Sequence, residues 1–136
     1  MKMKKTKVLV IMAVMMLVAT VAAGCSKYKS KYFAICFAHS NTSGSAFMSF
    51  GEFDGTMVFT LKTKKGGAIN YSAKIEKGSL TVYYDSEGTK EELFKLSAGE
   101  SVSSSLENLP KGKVYIIVET DGNCKNGDLD FKVKKK

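Results

Sequence analysis

The sequence predicts an all-β protein: an antiparallel two-sheet sandwich of about eight strands, jelly-roll-like in layout, after an N-terminal signal helix. Two observations predict the strands. Apolar and polar residues alternate along most of the chain, and clusters of Gly, Asn and Asp interrupt the alternation about every eight to twelve residues. A third observation predicts two layers, because several segments are apolar on both faces and need cover on both sides. The 136 residues leave room for one such domain.

The first five predicted strands cover 32–38, 46–50, 56–63, 68–76 and 79–84. The first two flank the polar loop Ser-Asn-Thr-Ser-Gly-Ser. Apolar residues stand at every second position of the other three, which is the pattern of strands buried on one face. Glycine-containing turns follow the later strands of this group and favour hairpins.

The remaining predicted strands cover 92–96, 101–106, 113–120 and 128–133. The first two of these are short and polar, as is typical of edge strands. Segment 113–120 is apolar on both faces, which predicts a central strand. The window most favourable to a helix, 89–96, is only about two turns long, so no helix is predicted within the domain.

Residues 1–24 have the three parts of a secretory signal peptide. A basic segment that contains four lysines precedes an apolar run of 14 residues, 8–21, and the small residues Ala22, Ala23 and Gly24 follow it. A helix that spans a bilayer needs about 20 apolar residues, so this run is short for a permanent membrane anchor.

The segment "VAAGC", residues 21–25, resembles the lipobox of bacterial lipoproteins. The resemblance implies that Cys25 is the lipid attachment site, acylated through its sulfur with a chain such as palmitate, and becomes the mature N-terminus at a bacterial membrane, outside the cytoplasm. The alternative is an unmodified cysteine after an ordinary signal peptide. The predicted organisation is a signal peptide at 1–24, a lipidated tether at 25–31 and a sandwich domain at 32–136.

The charge of the mature chain argues against nucleic-acid binding. Loss of residues 1–24 lowers the net charge from +8 to +4, and every basic residue is a lysine. Nucleic-acid readers favour the planar guanidinium of arginine. Lys27, Lys29 and Lys31 follow Cys25 and could add roughly 1 kcal/mol each of attraction to an anionic membrane; alternatively, they belong to a solvated linker.

Three segments within 50–133 are similar to pre-peptidase C-terminal-like domains and to small lipoproteins with that layout. They are "FDGTMVFTLKTKKG", "IEKGSLTVYYDSEGTKEELFK" and "GKVYIIVETDGNCKNGDLDFKV". The resemblance implies an antiparallel jelly-roll-like sandwich with a binding, targeting or spacer role. It supplies no catalytic residues.

His39 is the single histidine of the chain and the obvious candidate for catalysis. A serine or cysteine hydrolase would need a nucleophile and a carboxylate within hydrogen-bond reach of this ring. No Gly-x-Ser-x-Gly motif is present in the sequence. We therefore predict no catalytic residue and interpret His39 as a residue of a loop or a strand end.

Oxygen-bearing side chains are densest at 119–130. Asp121, Asn123 and Asp128 are weak candidates for metal ligands, because calcium takes six to eight oxygens. The spacing departs from that of an EF-hand loop, and Asn, Asp and Gly are equally common in the turn of a hairpin. The hairpin is the preferred interpretation, and no cofactor is predicted.

Two further pairs of residues are candidates for specific roles. Cys36 and Cys124 form an even pair once Cys25 is acylated, so they could form a disulfide in an exported domain; alternatively, Cys36 is a small buried apolar residue. Tyr83 and Tyr115 are expected to point away from the apolar rows beside them, so they are the candidates for an exposed ligand surface.

Together these features predict a lipid-anchored, extracytoplasmic sandwich with a non-catalytic binding or structural role at the bacterial cell surface, and a glycan or protein as ligand. One alternative is an envelope hydrolase or metal-dependent enzyme that uses His39 or the loop 121–130. The other is an inhibitor or immunity-type lipoprotein, which the same sequence features would fit.

Overall fold

The computed structural model describes residues 28–134, and the regular structure of this region is entirely β. The strands are β1 (Lys31–Ile35), β2 (Ala38–Asn41), β3 (Ser45–Thr63), β4 (Gly67–Lys77), β5 (Ser79–Asp85), β6 (Glu91–Ser97), β7 (Ser101–Leu109), β8 (Gly112–Thr120) and β9 (Cys124–Lys134). Every pairing between them is antiparallel. The predicted all-β antiparallel class is confirmed, whereas the predicted signal helix lies outside the described residues.

The long strand β3 combines two predicted strands, 46–50 and 56–63. It has 19 residues, and its first half pairs with β9 while its second half pairs with β8. Gly55, which lies between the two predicted strands and has a φ of 135°, bends the strand without ending it. As a result, β3 belongs to both layers of the structure.

Three further pairs of consecutive strands, β4 and β5, β6 and β7, and β8 and β9, also join end to end, and the chain bends between the two strands of each pair. Only Gly78 separates β4 from β5, and short bends separate β6 from β7 and β8 from β9. Gly78 has a φ of 93°, and a Cβ there would lie 2.8 Å from the carbonyl oxygen of Asn123, so this bend requires glycine. The continuous order β6-β5-β8-β3-β9-β4-β7 therefore folds over into two layers that share β3.

The core lies between these two layers. Its largest fully buried side chains include Phe53, Phe59 and Phe131, and each contributes about 1.5–3 kcal/mol relative to exposure in water. Tyr71 on β4 stacks on Phe94 of β6 with ring centroids 5.2 Å apart, which shows that the layers pack face to face. The buried apolar cluster runs from Ala46 to Phe131, so the chain from Ser26 onward contains all of it.

The segment that precedes β3 covers its remaining edge. β1 and β2 pair in succession with β3, interrupted at Cys36, which has a φ of 53°. Ser30 Oγ accepts a hydrogen bond from the Val58 amide at 2.8 Å, and the Asn41 side chain bonds both the amide and the carbonyl of Thr60. Within 28–134, no helix is long and apolar enough to cross a membrane.

Candidate functional site

The predicted lipid attachment site, Cys25, precedes the described residues. The first residue that the structure describes, Tyr28, is already docked on the sandwich: its hydroxyl donates a hydrogen bond to Asp85 Oδ2 at 2.6 Å. Part of the predicted tether therefore contacts the folded body.

His39 lies on β2 at the edge of the sheet, and it is exposed. Its ring stacks on the ring of Phe37 with the centroids 4.8 Å apart. It has no hydrogen bond or ion pair with a serine, a cysteine or a carboxylate of the described chain.

The candidate metal ligands do not converge. Asp121 and Asn123 lie in the bend between β8 and β9, where the Asp121 amide donates to Ser79 O and the Asn123 side chain donates to Glu52 Oε1. Asp128 lies farther along, inside β9. Among the residues that the structure describes, no group of three or more His, Cys, Asp or Glu is arranged to hold a metal ion.

Cys36 and Cys124 are free thiols, one exposed and one buried. They lie on opposite sides of β3: Cys36 O accepts from the amide of Gly51, whereas Cys124 pairs with Phe53. Strands on either side of a common neighbour are about 9.5 Å apart, and a disulfide needs Cα atoms within about 7 Å. In this structure the two thiols are therefore unpaired. Burial raises the pKa of the Cys124 thiol. Its S–H group donates a hydrogen bond to Ser79 O at 3.2 Å.

The structure brings Tyr83 and Tyr115 together on the outer face of the layer β6-β5-β8-β3. Tyr83 pairs with Ile117, and Tyr115 pairs with Asp85, so the two tyrosines are diagonal neighbours on adjacent strands. Both side chains are half-buried.

Other side chains of the protein already contact both rings. The Lys90 ammonium lies 4.3 Å from the Tyr83 centroid and forms an ion pair of 2.5 Å with Glu119. The edge of the Tyr28 ring packs on Tyr115 with the centroids 5.4 Å apart. These contacts leave little of either ring free to stack on a ligand.

The opposite outer face, on the layer β3-β9-β4-β7, is open instead. Three adjacent depressions with volumes of about 470, 530 and 670 Å³ follow it. We call this face the polar trough; its lining includes Phe47, Ser49, Asn70, Ser72, Lys74, Ser101, Ser103, Ser105, Asp128, Asp130 and Lys132.

Strand register builds the polar trough in rows. Residues that face each other across paired strands point to the same side of a sheet. The central row is Phe47, Asp130, Ser72 and Ser103, and the next row is Ser49, Asp128, Lys74 and Ser101. Serine is the β7 residue of both rows and the β4 residue of the first row, so these positions carry short side chains. The Phe47 ring at one end is 41% exposed.

The polar side chains of these two rows are not used by the fold. No hydrogen bond or ion pair to another described residue is present for the side chains of Ser72, Lys74, Ser101, Ser103, Asp128 and Asp130. These groups are open to solvent, and a ligand that forms equivalent hydrogen bonds with them would offset the cost of removing their water. The exposed Phe47 ring lies beside these donors and acceptors.

No protein-family model and no curated protein sequence matches the chain. Solved structures similar in fold include PliG of Aeromonas hydrophila, a periplasmic inhibitor of g-type lysozyme; it is 16% identical, with a TM-score of 0.49 over 68% of this chain and 88% of that one. The pre-peptidase C-terminal domain of Bacillus anthracis collagenase is 17% identical, with a TM-score of 0.44 over 77% and 89%.

A third similar structure is TmCBM61 in complex with β-1,4-galactotriose. It is 14% identical, with a TM-score of 0.43 over 82% of this chain and 74% of that one. Similarities at this level are confined to the β architecture.

Proposed function

We propose that this chain is a lipid-anchored, extracytoplasmic protein that binds a glycan in the polar trough and has no catalytic activity. The observation that supports this most directly is the exposed Phe47 ring next to a row of carboxylates and hydroxyls without internal partners.

Sugar chemistry suits this combination. A pyranose ring has an apolar face of C–H groups and a rim of hydroxyls. The Phe47 ring offers a flat apolar surface on which the C–H face of the sugar can stack. Asp128 and Asp130 accept hydrogen bonds from hydroxyls, and the serines both donate and accept. Because the trough crosses four strands, about 14 Å from the first to the last, it suits an extended oligosaccharide better than a single sugar.

The two aspartates do not suit glycoside hydrolysis. A glycosidase places its two carboxyl groups on either side of the scissile bond. Asp128 and Asp130 both project from β9, two residues apart on one face, and therefore approach a bound chain from the same side. This arrangement supports binding without cleavage.

The proposed location rests on the sequence. The signal-like segment 1–24 and the lipobox resemblance of 21–25 support export and acylation of Cys25. Two or more acyl chains hold a protein on a bilayer stably. The variant Cys25→Ser should remain unprocessed or leave the membrane fraction, and unchanged incorporation of a labelled fatty acid would contradict the assignment.

Glycan binding can be tested with the chain that starts at Ser26, on an array of linear oligosaccharides followed by titration calorimetry of each hit. Phe47→Ala and Asp130→Asn should each weaken binding about tenfold, because one removes the stacking surface and the other a charged acceptor. The matched control is Tyr83→Ala, on the other layer, which should bind as the parent does. Binding that survives the Phe47 and Asp130 variants, or is lost in the Tyr83 variant, would contradict the proposal.

A further inference from the structure

The strand β1 is an unusual edge. Among the described strands it pairs only with β3, which leaves its other side open. Edge strands are normally short, polar or charged, which prevents unwanted pairing. The edge strand β7 follows that rule with the sequence SVSSSLENL, whereas β1 reads KYFAI. Its Phe33 is 65% exposed and its Ile35 is 43% exposed.

The alternation of β1 explains which side chains face outward. Ala34 pairs with the buried Phe53, and the Tyr32 ring contacts the same phenylalanine at 5.1 Å between centroids. Phe33 and Ile35 lie on the opposite face. The core therefore does not use these two side chains, and the exposed apolar surface calls for a partner outside the domain.

The path of the chain from Cys25 to this edge is short. Tyr28 is fixed on the body by its bond to Asp85, and three residues span at most about 11 Å. Ser30 is fixed by its bond to Val58, and β1 begins one residue later. A lipid on Cys25 would consequently hold the β1 edge close to the bilayer surface.

We propose that the β1 edge rests on the membrane, with Phe33 and Ile35 in the interfacial region and Lys29 and Lys31 at the level of the lipid phosphates. This inference rests on the lipid anchor of the proposed function. Aromatic and aliphatic side chains flanked by lysines are the composition of interfacial contacts. The neighbouring Glu52 is bonded to Asn123 at 2.7 Å, on the side of β3 away from the open edge.

This contact would orient the binding face. The polar trough runs from β3 across β9 and β4 to β7, while β1 and β2 lie on the other side of β3. With β1 on the bilayer, β7 is the strand of the trough farthest from it. The trough is then open to the side, and its Ser-rich end points away from the membrane.

The exposed thiol of Cys36 allows a direct test, because it adjoins Ile35 while Cys124 is buried. The acylated chain is labelled at Cys36 with an environment-sensitive fluorophore and reconstituted into vesicles of phosphatidylcholine and phosphatidylglycerol. The matched control has the label on β7, in the variant Cys36→Ser with Ser103→Cys. The Cys36 probe should shift to the blue and be protected from an aqueous quencher, and the β7 probe should not.

The double variant Phe33→Ser with Ile35→Ser should raise the quenching of the Cys36 probe to that of the β7 probe, with an unchanged far-ultraviolet spectrum. If the parent floats with the vesicles but both probes are quenched equally, the membrane contact is overturned while the anchor stands. If the protein does not float with the vesicles, both the lipid anchor and the membrane contact are overturned. Protection of the probe without vesicles, together with a doubled mass, would assign the edge to a second copy and overturn the proposal.

Discussion

A single methyl group added at Gly127 should destabilise the domain. Gly127 lies on β9 between Phe50 of β3 and Ile75 of β4. A Cβ there would lie 2.4 Å from Phe50 Cζ and 2.9 Å from both Cε atoms. The Phe50 ring cannot move aside easily, because it is 4% exposed and its centroid is 5.4 Å from that of Phe53. The ring occupies the space that an alanine methyl would need.

The expected cost of Gly127→Ala is about 1–3 kcal/mol, the range for overpacking in a closely packed core. In a domain of this size each kcal/mol lowers the melting temperature by about 4–8 °C, so the variant should melt roughly 5–20 °C below the parent. Thermal unfolding followed by circular dichroism on the chain from Ser26 measures the shift, and urea titration checks it.

Gly44→Ala is the matched control, because a Cβ at Gly44 has no atom within 4 Å. That variant should stay within about 0.5 kcal/mol of the parent. Replacing Phe50 by Leu should make room, so that Gly127→Ala costs less in that background than in the parent. Equal melting temperatures for the two alanine variants, or strictly additive effects with Phe50→Leu, would refute the steric argument.

Two other expectations concern titratable groups. In the Cys25→Ser background, Ellman's reagent should react quickly with Cys36 in the native protein. Cys124 should react only after unfolding, because burial shields its thiol and raises its pKa. Quick reaction of both thiols in the native protein would contradict the burial of Cys124. The hydrogen bond with Glu91 raises the pKa of Tyr84 above its usual 10.0, so this contact stabilises the fold below about pH 10 and is lost as the pH rises through the folded-state pKa. Tyr84→Phe should therefore flatten the alkaline loss of stability, and an unchanged slope above pH 10 would argue against the contact.

Much of the strand pattern could be predicted from the sequence, because alternation reports which face is buried. The exceptions occur at the bends. Residues 51–55 were expected to end a strand, yet β3 continues through them. β9 begins at Cys124 rather than at 128: its pairing with β3 and β4 skips Asn126, which has a φ of 51°, and resumes at Lys125.

Most of the candidate site could not be predicted from the sequence. The polar trough depends on the order β3-β9-β4-β7, in which no two neighbours are consecutive in the chain. The serines of β7 indicated an edge strand but not that Phe47 lies across the same face. The sequence left the pairing of Cys36 and Cys124 open, because it could not show that they lie on opposite sides of β3.

The sharing of β3 between the two layers also bears on the time course of folding. β3 pairs with β1 and β2, which precede it, but its longest pairings are with β8 and β9, which follow every other strand. A chain that emerges from its N-terminus can form the β2–β3 and β5–β6 hairpins early. Neither layer can close until the last strands have emerged, so contacts of large sequence separation govern the rate, and folding should be slow compared with that of a helical domain of equal length.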